Sequence, residues 1–453
     1  MKKVLIANRG EIAVRVIRAC KDLGLQTVSV YSQVDAEALH VLHADEAICI
    51  GEASPRSSYL KIPNILSACE ITGADAIHPG YGFLSENPNF ASICESCGLN
   101  FIGPSHSTIA LLGDKAKAKA TAKHAGCPVI PGSNGVVEDI RHAYSEAKKL
   151  GYPIFIKAVA GGGGKGIRIA HNEEELGKLF VAARAEAESS FGNPDVYLEK
   201  MIMRPRHIEI QILGDKYGNC IHLGERDCTI QRRRQKLIEE APSPVLSPKL
   251  RQKMGQAAVN IAKAAGYYSA GTVEFLLDSD LNFYFMEANT RIQVEHTVTE
   301  ELTGIDLVQE QLRVAMGKEL QYEQKDIQIK GHVIQFRVNA ENPAHNFAPS
   351  PGKLEYYLPP GGPHVRVDSA CYSGYQIPPN YDSMVAKLIV RGHDRKEAIA
   401  HGKRALQEFY IGGVHSTIPF HLYMLEDPTF LAGNYDLTYI DKLVSDGCQF
   451  QVD

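Results

Sequence analysis

Short apolar runs alternate with helical spacing over the first hundred residues. Val4–Ala7 and Thr27–Tyr31 read as strands, with a helix over Glu11–Leu23 between them. Ala47–Ile50, Ala74–His78 and Asn100–Ile102 read as further strands, and Tyr59–Thr72 and Asn89–Cys97 as helices. This alternation predicts a doubly wound parallel sheet. Around Pro128–Gly135 the pattern turns irregular, which predicts a hinge before a small module reaching about Ile202. In that module, strands at Ile154–Val159 and Ile167–Ala170 flank the glycine run Gly161–Gly164. From Arg206 the period becomes two, with Ile208, Ile210 and Ile212 opposed to His207, Glu209 and Gln211, as in an antiparallel strand. A third part begins near Gly331, where Gln335, Arg337 and Asn339 alternate with Ile334, Phe336 and Val338. It continues through Tyr381–Val390 and a helix over Asp394–Phe409. The fold class is α/β at the start and α+β afterwards.

Composition narrows the partners. The 453 residues carry a formal net charge of −5, so no global positive field recruits nucleic acid or anionic lipid. The apolar run at the N-terminus stops after four residues, and no stretch of about 18 apolar residues exists. The ten cysteines are scattered, and Cys94-x-x-Cys97 has no second pair, which favours reduced thiols. The chain reads as cytoplasmic.

The chemistry concentrates in Glu287–His296. If that stretch is extended, one face carries Glu287, Asn289, Arg291, Gln293 and Glu295, and the other Ala288, Thr290, Ile292 and Val294. Carboxylates, amides and a guanidinium in one row suit metal ligation and oxyanion binding. Upstream, a four-residue loop at Ser279–Asn282 would set Glu274 directly opposite Glu287. Two carboxylates at about 5 Å repel by about 3 kcal/mol at an effective dielectric near 20, so a proton or a cation belongs between them. Hard oxygen donors favour Mg²⁺ or Mn²⁺, with Asn289 on the same face completing the set. The run Ala160–Gly166 fails the Walker A pattern because Gly166 stands where Ser or Thr is required. It leaves a glycine hairpin tip whose backbone N–H groups can close over phosphates. Lys157, set in the apolar run after Pro153, needs an anionic partner that a polyphosphate would supply. The charged run Gly224–Lys236 reads either as a solvated surface or as an anion-capturing patch.

Together these residues closely resemble biotin carboxylase, the ATP-grasp component of biotin-dependent carboxylases. The resemblance runs through Ile6–Ala13, His78–Asn87, the glycine loop, Glu225–Cys228, Gln231–Arg233, Gln235–Lys236 and Asn289–His296. It implies a Rossmann-like domain over 1–112, an ATP-grasp domain over 113–330 whose lid spans about 130–202, and a C-terminal biotin carboxylase domain over 331–447. It also implies a reaction in which ATP, bicarbonate and carrier-linked biotin give carboxybiotin, ADP and phosphate. Lys115, Lys157, Gly163 and Gly164 would meet the nucleotide phosphates, Glu199, Lys200, Met201 and Ile202 the adenine, and His207 the ribose. Glu274, Glu287 and Asn289 would hold two metal ions. Lys236, Arg291, Gln293, Val294 and Glu295 would cradle bicarbonate, with Glu295 as the base, and Arg337 would stabilise the biotin enolate. Arg234 stands where members commonly carry His, Asn or Tyr near the nucleotide, and Ala288 replaces a larger apolar residue.

No Met-Lys pair occurs after the initiating residue, so the usual biotin attachment motif is missing. The expectation is a protein that works with a separate carrier protein and carboxyltransferase, as a homodimer, with acetyl-CoA carboxylase ahead of a pyruvate or other acyl-CoA carboxylase. Another ATP-grasp ligase, a nucleotide-sensing scaffold and a nucleic-acid binder built on Arg232–Arg234 are the competing readings.

Overall fold

Five strands, β1 (Lys3–Ile6), β2 (Gln26–Ser32), β3 (Glu46–Gly51), β4 (Ala76–His78) and β5 (Asn100–Phe101), form a parallel sheet in the order β3-β2-β1-β4-β5. They belong to a computed structural model that describes residues 1–159 and 166–450. β1 is apolar on both sides. Val4 and Ile6 join the cluster of Ile12, Val16 and Ile17 from the helix Gly10–Asp22, while Leu5 and Ala7 pack with Ile65 and Phe90. Such two-faced burial is what a central strand covered by helices requires. Asn8, just after β1, donates its amide to the carbonyls of Pro79 and Tyr81, each at 2.7 Å. A Cβ on Gly80 would lie 2.8 Å from that amide nitrogen, so glycine is needed there. The first βα turn and the loop after β4 are thereby locked together at the carboxyl ends of the strands, where α/β folds bind ligands.

By contact density the chain separates into two units. One comprises Met1–Cys127, Arg206–Phe275 and Glu287–Asp453; the other comprises Pro128–Pro205 and Leu276–Met286. The smaller unit holds β6 (Ile154–Ala158) between β7 (Ile167–Ala170) and β8 (Val196–Lys200), all antiparallel. Helices Ile140–Leu150 and Glu173–Phe191 bury Ala143, Ala147, Leu176 and Phe180 with Ile154, Ile156 and Leu198.

The chain continues with β9 (Arg206–Gly214), β10 (Cys220–Arg232), β11 (Gln235–Ala241), β12 (Ser269–Leu277), β13 (Phe283–Asn289) and β14 (His332–Asn339), all counted with the larger unit except the stretch Leu276–Met286. The sheet runs β13-β12-β9-β10-β11-β14 and then takes in Met384–Gly392 and Val365–Ser369. β14 alternates as its sequence predicts. Ile334, Phe336 and Val338 enter a core with Leu388, Val390 and the helix Arg395–Glu408, which turns Gln335 and Arg337 to the opposite face.

Two expectations need correction. The turn between β12 and β13 is one residue tighter than a four-residue loop. Leu281 N–H donates to the Asp278 carbonyl at 3.1 Å, Asp278 N–H to that of Asn282 at 2.9 Å, and Leu281 sits at φ +64°. This is a three-residue loop closed by a left-handed residue, and the Asp278 carboxylate draws it in by accepting from the Asp280 and Asn282 amides, so the turn does not provide the register expected to set Glu274 directly opposite Glu287. Nor does the chain stay extended to His296. β13 ends at Asn289, the backbone bends, and a helix begins at His296. Among the described residues no helix is long and apolar enough to cross a membrane.

Away from the polar face, buried Glu240 accepts from His332 Nε2 at 2.7 Å, from Arg395 through two N–H groups at 2.7 and 3.0 Å, and from the Tyr435 hydroxyl. Burial alone would raise this carboxyl, but the His332 hydrogen bond and the Arg395 charge outweigh it and hold it down at about 2. A depressed carboxylate stabilises the fold above its unfolded pKa of about 4.3, and the contribution fades as pH falls towards the folded value. Glu240→Gln should therefore lower stability by about 3 kcal/mol at pH 7. The gap in thermal midpoint between variant and parent should shrink once pH drops below about 4. A gap independent of pH would contradict this account.

Candidate functional site

The polar face of the large sheet is built around a fully buried guanidinium. β9 and β10 pair with Glu209 directly across from Arg226. A register shift between His222 and Glu225, with Gly224 at φ +86°, re-aims the strand just before it. Arg226 donates through Nε to Glu209, through Nη1 to Gln211 at 2.7 Å and Thr299 at 2.8 Å, and through Nη2 to Gln293 at 2.9 Å and Thr272 at 3.3 Å. The charged run over 224–236 is thus largely interior. Glu225 pairs with Arg251 and Asp227 with Arg206, and all of Glu225, Arg226 and Asp227 are buried. Only Arg233 and Arg234 are exposed, as the two-residue tip between β10 and β11, at φ +46° and +70°. That is the backbone of a type I′ hairpin turn, which arginine adopts only under strain.

Lys236, at the start of β11, reaches three carboxylates: Glu209 at 2.7 Å, Glu295 at 2.6 Å and Glu274 at 3.2 Å. Burial works against its charge, but the three acids raise its pKa well above the usual lysine value. Glu274 also accepts from Asn289 and Gln293, both at 2.8 Å, and meets His207 Nε2 at 2.8 Å. Burial opposes the charge of Glu274, yet Lys236 and His207 keep its carboxyl well below the ordinary range. Glu295 is likewise held far down against burial by Lys236, Arg337 and Arg226. Arg337 Nη2 donates to Glu295 at 2.8 Å, while its Nε donates to Glu239 at 2.6 Å.

The bend after Asn289 brings the polar row together where an extended strand would have spread it. Ile292 turns into the N-terminal core. Gln293 and Glu295 fold back onto Glu274 and Lys236. Arg291 is held at the rim by Glu86 at 3.0 Å and by the Asn289 side-chain oxygen at 3.2 Å. The Val294 carbonyl accepts from Lys387 Nζ at 3.0 Å. The Glu287 side chain makes no hydrogen bond or ion pair among the described residues; although the residue keeps an exposed surface, partial desolvation and the Glu274 charge push its carboxyl up, with His207 and Lys115 acting in the opposite sense. The donor set of Glu274, Glu287 and the Asn289 amide therefore fits a hard divalent cation, which would relieve that repulsion.

In the smaller unit, Lys157 is not unpartnered. It pairs with Glu199 across β6 and β8 and lies 5.0 Å from the Phe155 ring centroid. A polyphosphate is therefore not required to satisfy it, because the fold supplies a carboxylate. Lys200 Nζ donates to the carbonyls of Gly151 and Tyr152, Met201 N–H to that of Pro153, and Ile202 follows half-buried. Gly163 and Gly164 lie outside the described residues.

Three family models cover most of the chain. They are described as biotin carboxylase, N-terminal domain (residues 1–109), carbamoyl-phosphate synthase L chain, ATP binding domain (114–323), and biotin carboxylase C-terminal domain (335–442). Biotin carboxylase 1 of Bacillus subtilis is 57% identical over 442 residues, 97% of this chain and 98% of its own. The chain belongs to the biotin carboxylase family. It is an ATP-dependent ligase with the ATP-grasp fold. A pyruvate carboxylase subunit of Methanothermobacter thermautotrophicus is 54% identical over 97% of this chain and 89% of its own. The biotin carboxylase domain dimer of Hydrogenobacter thermophilus 2-oxoglutarate carboxylase, solved with MgADP, ADP and bicarbonate, superposes with a TM-score of 0.90. It is 51% identical, and the match covers 100% of this chain and 99% of that one.

Glu86, Glu209, Arg226, Glu239 and Lys387 were not singled out from the sequence of this biotin carboxylase family member. Lys387 had a usable signal, since it interrupts the apolar run Val385–Val390 as Lys157 interrupts its own. Arg226 carries the heaviest structural demand. Arg226→Met should lower stability by about 3–5 kcal/mol, because it removes one of Glu209's two cations and orphans two buried amides. Urea unfolding of parent and variant tests this, and an unchanged midpoint would show the network to be dispensable.

Proposed function

We propose that the chain carboxylates carrier-linked biotin with ATP and bicarbonate, by way of carboxyphosphate, giving carboxybiotin, ADP and phosphate. The observation that supports this best is the continuous line from Glu274 through Lys236 and Glu295 to Arg337, every link between 2.6 and 3.2 Å. One end carries metal-ligand chemistry and the other ends in a guanidinium able to stabilise an enolate oxygen. The residues that the resemblance assigns to the nucleotide are Lys115, Lys157, Gly163, Gly164, Glu199, Lys200, Met201, Ile202, His207 and Arg234. Glu274, Glu287 and Asn289 hold Mg²⁺ or Mn²⁺, which when bound neutralises triphosphate charge. MgADP and bicarbonate in the Hydrogenobacter structure support a nucleotide, magnesium and bicarbonate as the ligands.

Bicarbonate binds among Lys236, Arg291, Gln293, the Val294 backbone and Glu295. Glu295 takes its proton, and an oxygen of the resulting dianion attacks the γ-phosphorus as ADP leaves. Carboxyphosphate breaks to CO2 and a strongly basic phosphate; that phosphate takes the proton of the biotin ureido nitrogen and leaves as hydrogen phosphate, and the nitrogen adds to CO2 beside Arg337. Water would hydrolyse the intermediate, which gives a lid over 130–202 its purpose. The acceptor complex we favour is acetyl-CoA carboxylase, with a biotin carboxyl carrier protein, a carboxyltransferase and a homodimer of this chain feeding fatty acid synthesis. The Methanothermobacter relative, named for pyruvate carboxylase, supports pyruvate as the second reading.

ADP release should depend on bicarbonate and be stimulated by free biotin. Glu295→Gln should cut turnover by about 10²-fold or more with nucleotide affinity nearly intact. Equal loss of both would remove it from the role of base. Arg337→Ala should lower biotin-stimulated turnover with little change in nucleotide affinity, and an unchanged rate would take it out of the site. Reconstitution with carrier and transferase proteins, scored for malonyl-CoA against oxaloacetate, separates the two acceptor readings.

A further inference from the structure

We infer that Glu239 is a positioning residue for the biotin step, gripping one edge of the Arg337 guanidinium so that its remaining corner is presented to the substrate. The inference rests on the proposed role of Arg337. Glu239 stands on β11 directly across from Gln335 of β14 and is completely buried. Both of its oxygens are engaged: Oε1 accepts from Arg337 Nε at 2.6 Å, and Oε2 from Gln335 Nε2 at 3.0 Å. Arg337 Nη2 lies 2.5 Å from Glu239 and 2.8 Å from Glu295, so one nitrogen spans the two acids. Gln335 is in turn fixed by the Thr297 hydroxyl from the helix that follows the bend. A chain of four side chains thus runs from that helix across two strands to the guanidinium.

This arrangement has a direction. Nε and Nη2 are occupied, whereas Nη1 donates to nothing among the described residues. Glu239, with no solvent exposure, has no access to a substrate and acts only through Arg337. A second carboxylate on an already paired guanidinium is costly in the interior, and burial together with Glu295 pushes the Glu239 carboxyl up. Its benefit is geometric. A planar guanidinium held along one edge cannot swing to a fully bidentate pair with Glu295, so that acid stays available as a base.

The test uses the intact chain carrying Glu239→Gln, Arg337→Ala or both, with ADP release measured with and without free biotin. Glu239→Gln should reduce the ratio of biotin-stimulated to biotin-independent turnover about tenfold, the scale of a misplaced positioning group. The KM for ATP should stay within about twofold. In the Arg337→Ala background the second substitution should cost nothing further, since coupled residues are non-additive. Equal loss of both activities in Glu239→Gln, or additive effects in the double variant, would overturn the inference. If Glu239→Gln does not fold by circular dichroism, Gln335→Leu removes only the buttress, and the same ratio must fall or the inference fails. A parent chain without biotin stimulation would refute the proposed function itself; a stimulated parent with an indifferent Glu239→Gln would refute this step alone.

Discussion

A lysine ammonium shared by three carboxylates is the constraint on which the site depends. Lys236 draws Glu209, Glu274 and Glu295 from β9, β12 and the bend after β13 to within 3.2 Å of one atom. Without it, three buried like charges would repel and the strands carrying them would not pack. Arg226 does the same work from below, taking Glu209 and the amides of Gln211 and Gln293. In the buried network, Lys236, Arg226 and Arg337 supply three cations against the four carboxylates Glu209, Glu239, Glu274 and Glu295. The network thus carries surplus negative charge, although the proposed substrates are anionic. That is the electrostatic case for divalent cations, and together with desolvation, the larger cause, the neighbouring acid raises the carboxyls of Glu239 and Glu287.

The N-terminal sheet and the alternating face of β14 were legible because each depends on local periodicity. The parallel order of β1 to β5 follows from strand-helix alternation, and Arg337 falls on the polar face because Phe336 and Val338 cannot. The row from Glu287 to Glu295 was legible as chemistry but not as geometry. Its residues converge through a bend, and periodicity cannot foresee a bend dictated by Ile292 seeking the N-terminal core. Arg226, Glu239 and Glu86 take no individual role from the sequence for a different reason. Each acquires its role from a partner on another strand or another part of the chain, so the identity of that partner is a matter of register and of the shift between His222 and Glu225. Lys157 shows the reverse error. Its need for an anion was correctly inferred, yet Glu199 on the paired strand already meets it.

The ligand-free geometry presents Glu295 as a poor base, since Lys236 and Arg337 hold its proton affinity far down. A base must nevertheless have some affinity for the proton it removes. The resolution lies in what bicarbonate displaces. If, as proposed, bicarbonate enters between Lys236, Arg291 and Gln293, it would take a share of the cationic charge now concentrated on Glu295 and add a like charge beside it. Both changes raise the carboxyl. Divalent cations on Glu274 would remove that acid's claim on Lys236, freeing the ammonium to follow the substrate. On the proposed assignment, the base would be strengthened by the binding of the molecule it deprotonates, and in an empty site it would stay ionised and paired.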